Sequence, residues 1–377
     1  MMATLSKDEV ERRLERWLEA NVKAWRNVRL KPLEVSLGSG FSAEIFFVDV
    51  RYEQEGNARQ QTLVVRRQPQ NFEVVLGSSL TLQGQMMAAL DARGDVRVPP
   101  WIGMESDPSV LGMPFLIMGK VDGHAATQRP NYNEAGWVFE MSPQHRHAAW
   151  KNGIEAFAKL SHIDWRDGFE FLARPEWGAP GIEQYVGHIA AWHEGAGKGR
   201  AMQYADAALD YIKTNKPASA PVNVLWGDPT PSNVMFAEDG GVNALIDWEL
   251  AALGPSELDL AWWLYFDDLF SRRFGVARLA GLPSREESIA IWEAAAGRRA
   301  ENLDYCDIVV ALRMALVAVG AFDRLVGVGK IKQDNKSLNA NLMTLYLAER
   351  LGLTPPELGP DFYEFMSHLT PVEKKSD

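Results

Sequence analysis

The sequence contains 377 residues, 46% of them hydrophobic, and its formal net charge at pH 7 is −11. This composition can build a substantial core, and the acidic balance argues against nucleic acids and anionic membrane surfaces as partners. A single cysteine, Cys306, excludes an internal disulfide and favours a reducing, cytoplasmic location.

The first predicted element is an amphipathic helix. Ser6 and Glu9 form a capping-box pattern, and apolar residues follow at helical spacing, among them Leu14 and Trp17. Charged residues at positions 7–9 stand where a secretion signal would need an apolar core, so no signal peptide is expected. We predict a helical extension over residues 1–34 that docks on the main body.

A glycine-rich turn opens the next part of the chain, where strands are predicted. The turn consists of Gly38, Ser39, Gly40, Phe41 and Ser42. Glycines in such a turn would let backbone amides approach phosphate oxygens closely, although a plain hairpin turn has the same composition.

Residues 63–67 predict a strand that ends in two arginines. Because side chains alternate along a strand, Val64 and Arg66 share one face and Arg67 points to the other. The Arg66 guanidinium could neutralise phosphate with bidentate geometry. The alternative is a surface arginine pair on an edge strand.

The middle of the chain predicts a helix over residues 80–90 and two further apolar runs over 101–104 and 114–118. The second run ends at Met118 and passes into a short linker. Beyond the linker the pattern is mainly helical. The longest apolar stretch, 308–322, is interrupted by Arg313 and is too short to span a bilayer, so it predicts a buried helix and no membrane partner.

The most informative segment surrounds Asp228. An apolar run ends just before it, and the prolines at 229 and 231 forbid a regular helix or ladder, which places Asp228 on a stiff loop. Asn233 follows five residues later. Residues 242–248 predict a strand that delivers Asp247 at its end. The expected structure is a hairpin with Asp, Asn and Asp at one end.

These three side chains suit phosphoryl transfer from a nucleotide. The reaction needs a carboxylate that orients and deprotonates the attacking hydroxyl, and oxygen ligands that hold Mg²⁺ against the phosphates. The protein-kinase catalytic loop has the same Asp-to-Asn spacing. Asp228 is therefore the candidate base, and Asn233 and Asp247 are the candidate metal ligands. A stiff loop and an acidic strand end would explain any one of these residues but not their joint spacing.

The segments WGDPTPSNVMF and LIDWELAALGPSELDLAWW resemble the aminoglycoside phosphotransferase and choline kinase-like superfamily. Within it they look most like bacterial phosphotransferases related to the kinase domain fused to some acyl-CoA dehydrogenases. The family loop usually begins His-Gly-Asp, and Trp226 stands in the His place. The resemblance implies that Asp259 is a buried carboxylate that holds the backbone of the catalytic loop.

The same resemblance implies the fold. It is a two-lobed, protein-kinase-like α+β fold with a small antiparallel-sheet lobe and a larger, mainly helical lobe. The small lobe would span residues 35–118, the hinge 119–123 and the large lobe 124–377.

The resemblance also implies a nucleotide site in which the glycine-rich turn covers the phosphates. Val64 would pack against the adenine, and Arg66 would meet the phosphates in place of the usual lysine. Gln83 stands where such folds place the glutamate that pairs with that lysine. At the hinge, the implied contacts to the adenine come from Met118, Gly119 and Val121.

The function implied is ATP- and Mg²⁺-dependent phosphorylation of a hydroxyl on a small molecule, with ATP or another nucleoside triphosphate as donor. The departures at Arg66, Gln83 and Trp226 leave open a nucleotide-binding protein without turnover. A carboxylate-pair hydrolase is a third hypothesis, and it would leave the glycine-rich turn unexplained.

An aminoglycoside antibiotic as acceptor also stays open. Its polycationic character would suit the acids near the loop, namely Glu249, Glu257, Asp267 and Asp268. Aromatic residues are interleaved with these acids, however. We therefore expect a partly apolar hydroxylated metabolite, such as an acyl or hydroxy-acid derivative.

Overall fold

A computed structural model describes residues 5–32, 38–39, 44–68 and 75–369. The first part of the chain forms a lobe built on one antiparallel sheet of six strands. Its elements are α1 (Lys7–Asn21), β1 (Arg26–Leu30), β2 (Gly38–Ser39), β3 (Glu44–Gln54), β4 (Asn57–Arg67), α2 (Leu80–Arg93), β5 (Trp101–Glu105), α3 (Pro108–Leu111) and β6 (Phe115–Gly119). The strand order is β1-β3-β4-β6-β5, with β2 paired to β3.

The second part of the chain is mainly helical and carries two small two-stranded sheets. Its elements are α4 (Trp137–Glu140), α5 (Pro143–Ala158), α6 (Ile182–Gly197), α7 (Gln203–Thr214), β7 (Asn223–Leu225), β8 (Val234–Phe236), β9 (Val242–Leu245), β10 (Ala252–Gly254), α8 (Glu257–Asp268), α9 (Arg285–Ala296), α10 (Leu303–Gly327), α11 (Leu342–Leu351) and α12 (Pro360–Leu369). Strand β7 pairs with β10, and β8 pairs with β9. The expected two-lobed, kinase-like α+β fold is confirmed.

The predicted N-terminal helix begins as its cap indicates, because the Ser6 hydroxyl accepts the Glu9 N–H. Its apolar stripe packs on the sheet, where Leu14 and Trp17 share a buried cluster with strand residues such as Leu63. The predicted helical extension over residues 1–34 contains a strand after its helix. Residues 26–30 form β1, which pairs with β3, and their alternating burial suits an added edge strand better than a helix.

The two faces of β4 separate as the alternation predicts. Leu63 and Val65 lie in the cluster under α1, whereas Val64 and Arg66 point to the opposite face, toward the large lobe. Helix α2 lies on that side, and its residue Leu90 belongs to the large core cluster. The face of the sheet that carries Val64 and Arg66 therefore lies toward the large lobe. A cleft is formed between this face and the large lobe.

Helix α10 runs through the core of the large lobe and is longer than predicted. By length and composition its 25 residues could cross a membrane, but 78% of its most apolar window is buried within the protein. The apolar stretch 308–322 is thus part of a longer helix than predicted, and its prediction as a buried helix is confirmed. The extra turns come from residues 303–307 and 323–327, which flank the apolar run.

Candidate active site

Asp228 lies on the loop between β7 and β8, with donors on both carboxylate oxygens. Trp262 Nε1–H donates to Oδ1 at 2.7 Å, and Asn233 Nδ2 donates to Oδ2 at 2.7 Å. These bonds fix the orientation of the carboxylate. Burial, reinforced by the charge of Asp247, raises the pKa of Asp228 to about 6. A carboxylate with a raised pKa is a stronger base than an ordinary aspartate and still ionises at neutral pH.

Asn233 and Asp247 are brought together by the backbone. The Ile246 N–H donates to the Asn233 carbonyl at 2.9 Å, which ties the residue before Asp247 to the catalytic loop. The predicted strand over 242–248 is too long, since β9 ends at Leu245. Asp247 has φ 63°, a left-handed conformation that breaks the ladder and that costs energy in a residue with a Cβ.

The side-chain oxygen atoms of Asn233 and Asp247 suit Mg²⁺. Asn233 uses its amide nitrogen on Asp228, so its Oδ1 remains for a cation. Asp247 adds a carboxylate. Within residues 5–32, 44–68 and 75–369, no three His, Cys, Asp or Glu side chains form an all-protein metal cage. Two hard oxygen ligands fit a Mg²⁺ whose shell is completed by phosphate and water.

Arg66 reaches across the cleft to this cluster. It is 5% exposed, its Nη1 donates to Asp247 Oδ1 at 2.7 Å, and its Nη2 pairs with Glu249. The pairing with Gln83 suggested by the family pattern is wrong. Gln83 is buried, and its Oε1 has no hydrogen-bond partner within the described part of the chain. Glu249, two residues beyond Asp247, supplies the carboxylate that Gln83 lacks.

Replacing Arg66 with glutamine should weaken ATP binding by about tenfold to a hundredfold, the range for a lost charged hydrogen bond. Adenosine binding should change little, because adenosine carries no phosphate. Arg67→Gln is the matched control, since the Arg67 guanidinium lies 5.7 Å from the Phe46 ring on the other face. Calorimetric titration with both ligands measures the effect. Equal losses of ATP affinity in the two variants would contradict the role given to Arg66.

Trp226 and Asp259 form hydrogen bonds that hold the loop carrying Asp228 in place. The carboxylate of Asp259 accepts the backbone N–H groups of Trp226 at 2.8 Å and of Gly227 at 3.0 Å, which confirms its predicted structural role. The fully buried Trp226 donates its Nε1–H to the Ile246 carbonyl at 2.9 Å. Gly227 has φ 87°, and a Cβ there would lie 1.9 Å from the Leu250 carbonyl oxygen. The loop therefore requires glycine and is tied directly to the segment that presents Asp247.

Replacing Trp226 with phenylalanine should lower the free energy of unfolding by about 1–3 kcal/mol, because the partly buried Ile246 carbonyl loses its donor. It should also weaken metal-dependent ATP binding, since Ile246 precedes Asp247. Trp150→Phe is the control, because Trp150 is equally buried and its Nε1 has no partner among the described residues. Urea unfolding and ATP titration measure both effects. An identical loss of ATP affinity in the two variants would count against the tie.

Part of the predicted nucleotide site lies within the described residues. Val64 and Met118 are direct partners across β4 and β6, on the face that carries Arg66. The Gly119 N–H donates to the Pro100 carbonyl at 2.8 Å and is therefore not left for an adenine. Val121 lies just beyond β6. Gly38 and Ser39 form β2, whereas Gly40, Phe41 and Ser42 lie outside the described residues.

Three residues of the site were missed or misjudged from the sequence. The sequence presents Glu249 as an acid for a cationic acceptor, Trp262 as one of the aromatic residues interleaved with the acids, and Arg313 as an interruption of an apolar run. In the structure the Arg313 guanidinium lies 4.0 Å from the centre of the Trp262 ring, whose N–H holds Asp228. The available signal was the single cation inside the apolar run 308–322, because a buried charge is retained only with a partner.

Residues 35–296 match the sequence model of the phosphotransferase enzyme family, a span of more than half of the chain. The chain belongs to this family. Two curated relatives of this family member are acyl-CoA dehydrogenase family member 11 of Homo sapiens and of Rattus norvegicus. Both are 24% identical to it, over 75% and 85% of the chain. The chain spans 36% and 41% of the length of these two proteins.

Solved structures with the same fold are small-molecule phosphotransferases. A candidate aminoglycoside phosphotransferase from Ralstonia eutropha superposes with a TM-score of 0.64 at 20% identity, covering 90% of this chain and 98% of the other. A thermostable mutant of aminoglycoside phosphotransferase APH(4)-Ia, in complex with ADP and hygromycin B, superposes with a TM-score of 0.53 at 12% identity, covering 90% and 96%. At these identities the likeness is one of fold.

Proposed function

We propose that this phosphotransferase-family protein transfers the γ-phosphoryl group of ATP to a hydroxyl of a small molecule, with Mg²⁺ as cofactor. The observation that supports this most strongly is the convergence of Asp228, Asn233 and Asp247 at one point, with Arg66 beside them. A new bond would form between the acceptor oxygen and the phosphorus, the bond to the ADP oxygen would break, and the acceptor proton would pass to Asp228.

The side chains divide this work between them. Asp228, held by Asn233 and Trp262, orients the acceptor hydroxyl and takes its proton. Arg66 supplies positive charge near the phosphates. Asn233 Oδ1 and Asp247 would hold the Mg²⁺, which supplies charge neutralisation on the nucleotide.

Turnover is favoured over nucleotide binding alone because each departure from the family pattern has a substitute. Glu249 pairs with Arg66 where Gln83 cannot. Trp226 donates an N–H from the position of the family histidine. An abandoned active site would have no reason to keep these supports together with all three oxygen-bearing side chains.

The acids near the loop do not favour a polycationic acceptor, because each pairs with an arginine. The pairs are Glu249 with Arg66, Glu257 with Arg298, Asp267 with Arg278, and Asp268 with Arg272 and Arg273. Carboxylates that are already neutralised attract a cationic ligand weakly. We therefore propose a partly apolar hydroxylated metabolite as acceptor, and the acyl-CoA dehydrogenase names of the curated relatives support an acyl or hydroxy-acid derivative.

The experiment is a substrate screen that measures ADP or GDP release. The purified protein is incubated with Mg²⁺ and ATP or GTP, and with hydroxy acids, hydroxyacyl thioesters, sugars, aminoglycosides or macrolides. An Asp228→Asn protein is the blank. We expect nucleotide turnover only with a hydroxylated, partly apolar acceptor. Phosphorylation of aminoglycosides alone would overturn the acceptor class, and nucleotide binding with no turnover across the screen would overturn the proposed reaction.

A further inference from the structure

A small cavity lies next to the candidate catalytic loop, between the segment that precedes α2 and the helix α6. Its volume is about 50 Å³, and its lining includes Ser78, Arg174, His188, Glu249 and Arg313. That space takes a few water molecules or one small polar group. It is therefore too small for an antibiotic and suits one end of a small substrate.

Arg313, on α10, lines this cavity and has hydrogen-bonding capacity left over. It is only 5% exposed, and its Nη1 donates to the Tyr185 hydroxyl at 3.2 Å. Its Nη2 is buried and has no hydrogen-bond partner in the part of the chain that the structure describes. Arg313 also offsets the charges of Asp228 and Asp259 through space. These through-space interactions give the Nη2 hydrogens no acceptor among the described residues. A buried guanidinium nitrogen without an acceptor is costly unless a ligand accepts its hydrogen bonds.

The remaining charges of the lining favour an anion. Among the lining residues that the structure describes, Arg174 is half-buried and adds a second guanidinium, whereas the one acid, Glu249, is paired with Arg66. Burial lowers the pKa of His188 to about 4, so this imidazole is neutral at pH 7. Its Nε2 lies 2.7 Å from the Leu76 carbonyl oxygen and donates to it. Once the pair of Glu249 with Arg66 is discounted, the described lining residues carry only positive charge.

We propose that this cavity binds a carboxylate of the acceptor and that Arg313 is the residue that selects it. The link to turnover rests on the proposed function. The Arg313 guanidinium covers the Trp262 ring at 4.0 Å, and the indole N–H donates to Asp228 Oδ1 at 2.7 Å. A single side chain, that of Trp262, therefore links Arg313 in the cavity lining to the proposed base Asp228. A molecule with its carboxylate at Arg313 and its hydroxyl at Asp228 is a hydroxy acid.

The first test is binding and needs no turnover. Butanoate and its neutral counterpart butanamide are titrated into the protein and followed by ligand-observed NMR. Butanoate should bind at least about tenfold more tightly than butanamide, as a charge-assisted hydrogen bond requires. Arg313→Gln should abolish this preference and Arg174→Gln should reduce it, whereas Arg324→Gln, an exposed change on the same helix, should preserve it. Asp228→Asn should also keep it, which separates the cavity from the chemistry.

Several results would overturn the proposal. One is equal binding of butanoate and butanamide, and another is a preference that survives in Arg313→Gln. Inorganic phosphate that binds more tightly than butanoate and displaces it would assign the cavity to a free anion instead. If Arg313→Gln does not fold, the wild-type comparison and Arg174→Gln still decide.

A second test uses turnover. Hydroxy acids of three to eight carbons are compared with their methyl esters, and the acids should have the higher kcat/KM in wild type only. Phosphorylation of acids and esters at equal rates would refute the carboxylate anchor while leaving the phosphotransferase proposal intact. Absence of all phosphorylation would refute the phosphotransferase proposal while leaving the binding result to judge the cavity.

Discussion

Replacing Asp228 with asparagine is expected to lower kcat by about a hundredfold to ten-thousandfold, the range for loss of a general base. Asparagine keeps the size of the side chain but cannot accept the acceptor proton. ATP affinity should change little, because the phosphates are assigned to other residues. Steady-state kinetics with the acceptor from the substrate screen, together with calorimetric ATP titration, separates the two quantities.

The environment of Asp228 sharpens this experiment. Both carboxylate oxygens accept N–H groups, from Trp262 and from Asn233, so an asparagine amide group must face one of these donors. Trp262→Phe removes one of these donors. In the Asp228→Asn protein it should therefore relieve the repulsion between the asparagine amide and the indole N–H, without restoring turnover. Asp334→Asn, an exposed change, is the control for the loss of one charge. An Asp228→Asn protein with the wild-type kcat would rule out Asp228 as the base.

Replacing Asp247 with alanine is expected to remove the Mg²⁺ dependence of ATP binding. Asp247 supplies the one carboxylate of the proposed metal site, and Asn233 Oδ1 alone is a weak ligand for a hard cation. In wild type, ATP should bind more tightly with Mg²⁺ than with a chelator. In Asp247→Ala the two affinities should converge, and kcat should fall by at least about a hundredfold.

A comparison with Arg66→Gln separates loss of the proposed metal site from loss of positive charge at the phosphates. The Arg66 guanidinium keeps Glu249 when Asp247 is removed, so positive charge for the phosphates is retained. Metal-free ATP binding should therefore survive in Asp247→Ala but weaken in Arg66→Gln. Asp334→Ala again controls for the loss of a carboxylate. If wild-type ATP binding is the same with and without chelator, the assignment of Asn233 and Asp247 as metal ligands is wrong.

The residues that could be assigned to one site from the sequence are those whose spacing along the chain indicates the chemistry. Asp228, Asn233 and Asp247 lie within 20 residues of one another, and proline, glycine and short apolar runs determine the local path between them. The alternation of Val64, Arg66 and Arg67 on β4 was predictable for the same reason. A strand has only two faces, so one buried face decides the direction of every side chain.

The failures arise where a contact joins distant segments. Arg66 was matched to Gln83 through a family pattern, yet its partner Glu249 lies 183 residues away. The strand over 242–248 was drawn too long because apolar patterning does not report the left-handed backbone at Asp247. Residues 26–30 were assigned to a helical extension because edge pairing with β3 depends on a neighbour elsewhere in the sequence.

By itself, the sequence determined the three residues proposed to carry the chemistry, since these follow from local pattern and spacing. The two-lobed fold and the family were implied by the resemblance of its motifs to known proteins. Only the tertiary structure decided that Glu249 pairs with Arg66, that Trp262 holds Asp228, and that Arg313 enters a cavity beside them. The physical reason is that a buried charge or N–H group must find a partner wherever packing supplies one. That partner is chosen by proximity in space, which the order of residues along the chain does not record.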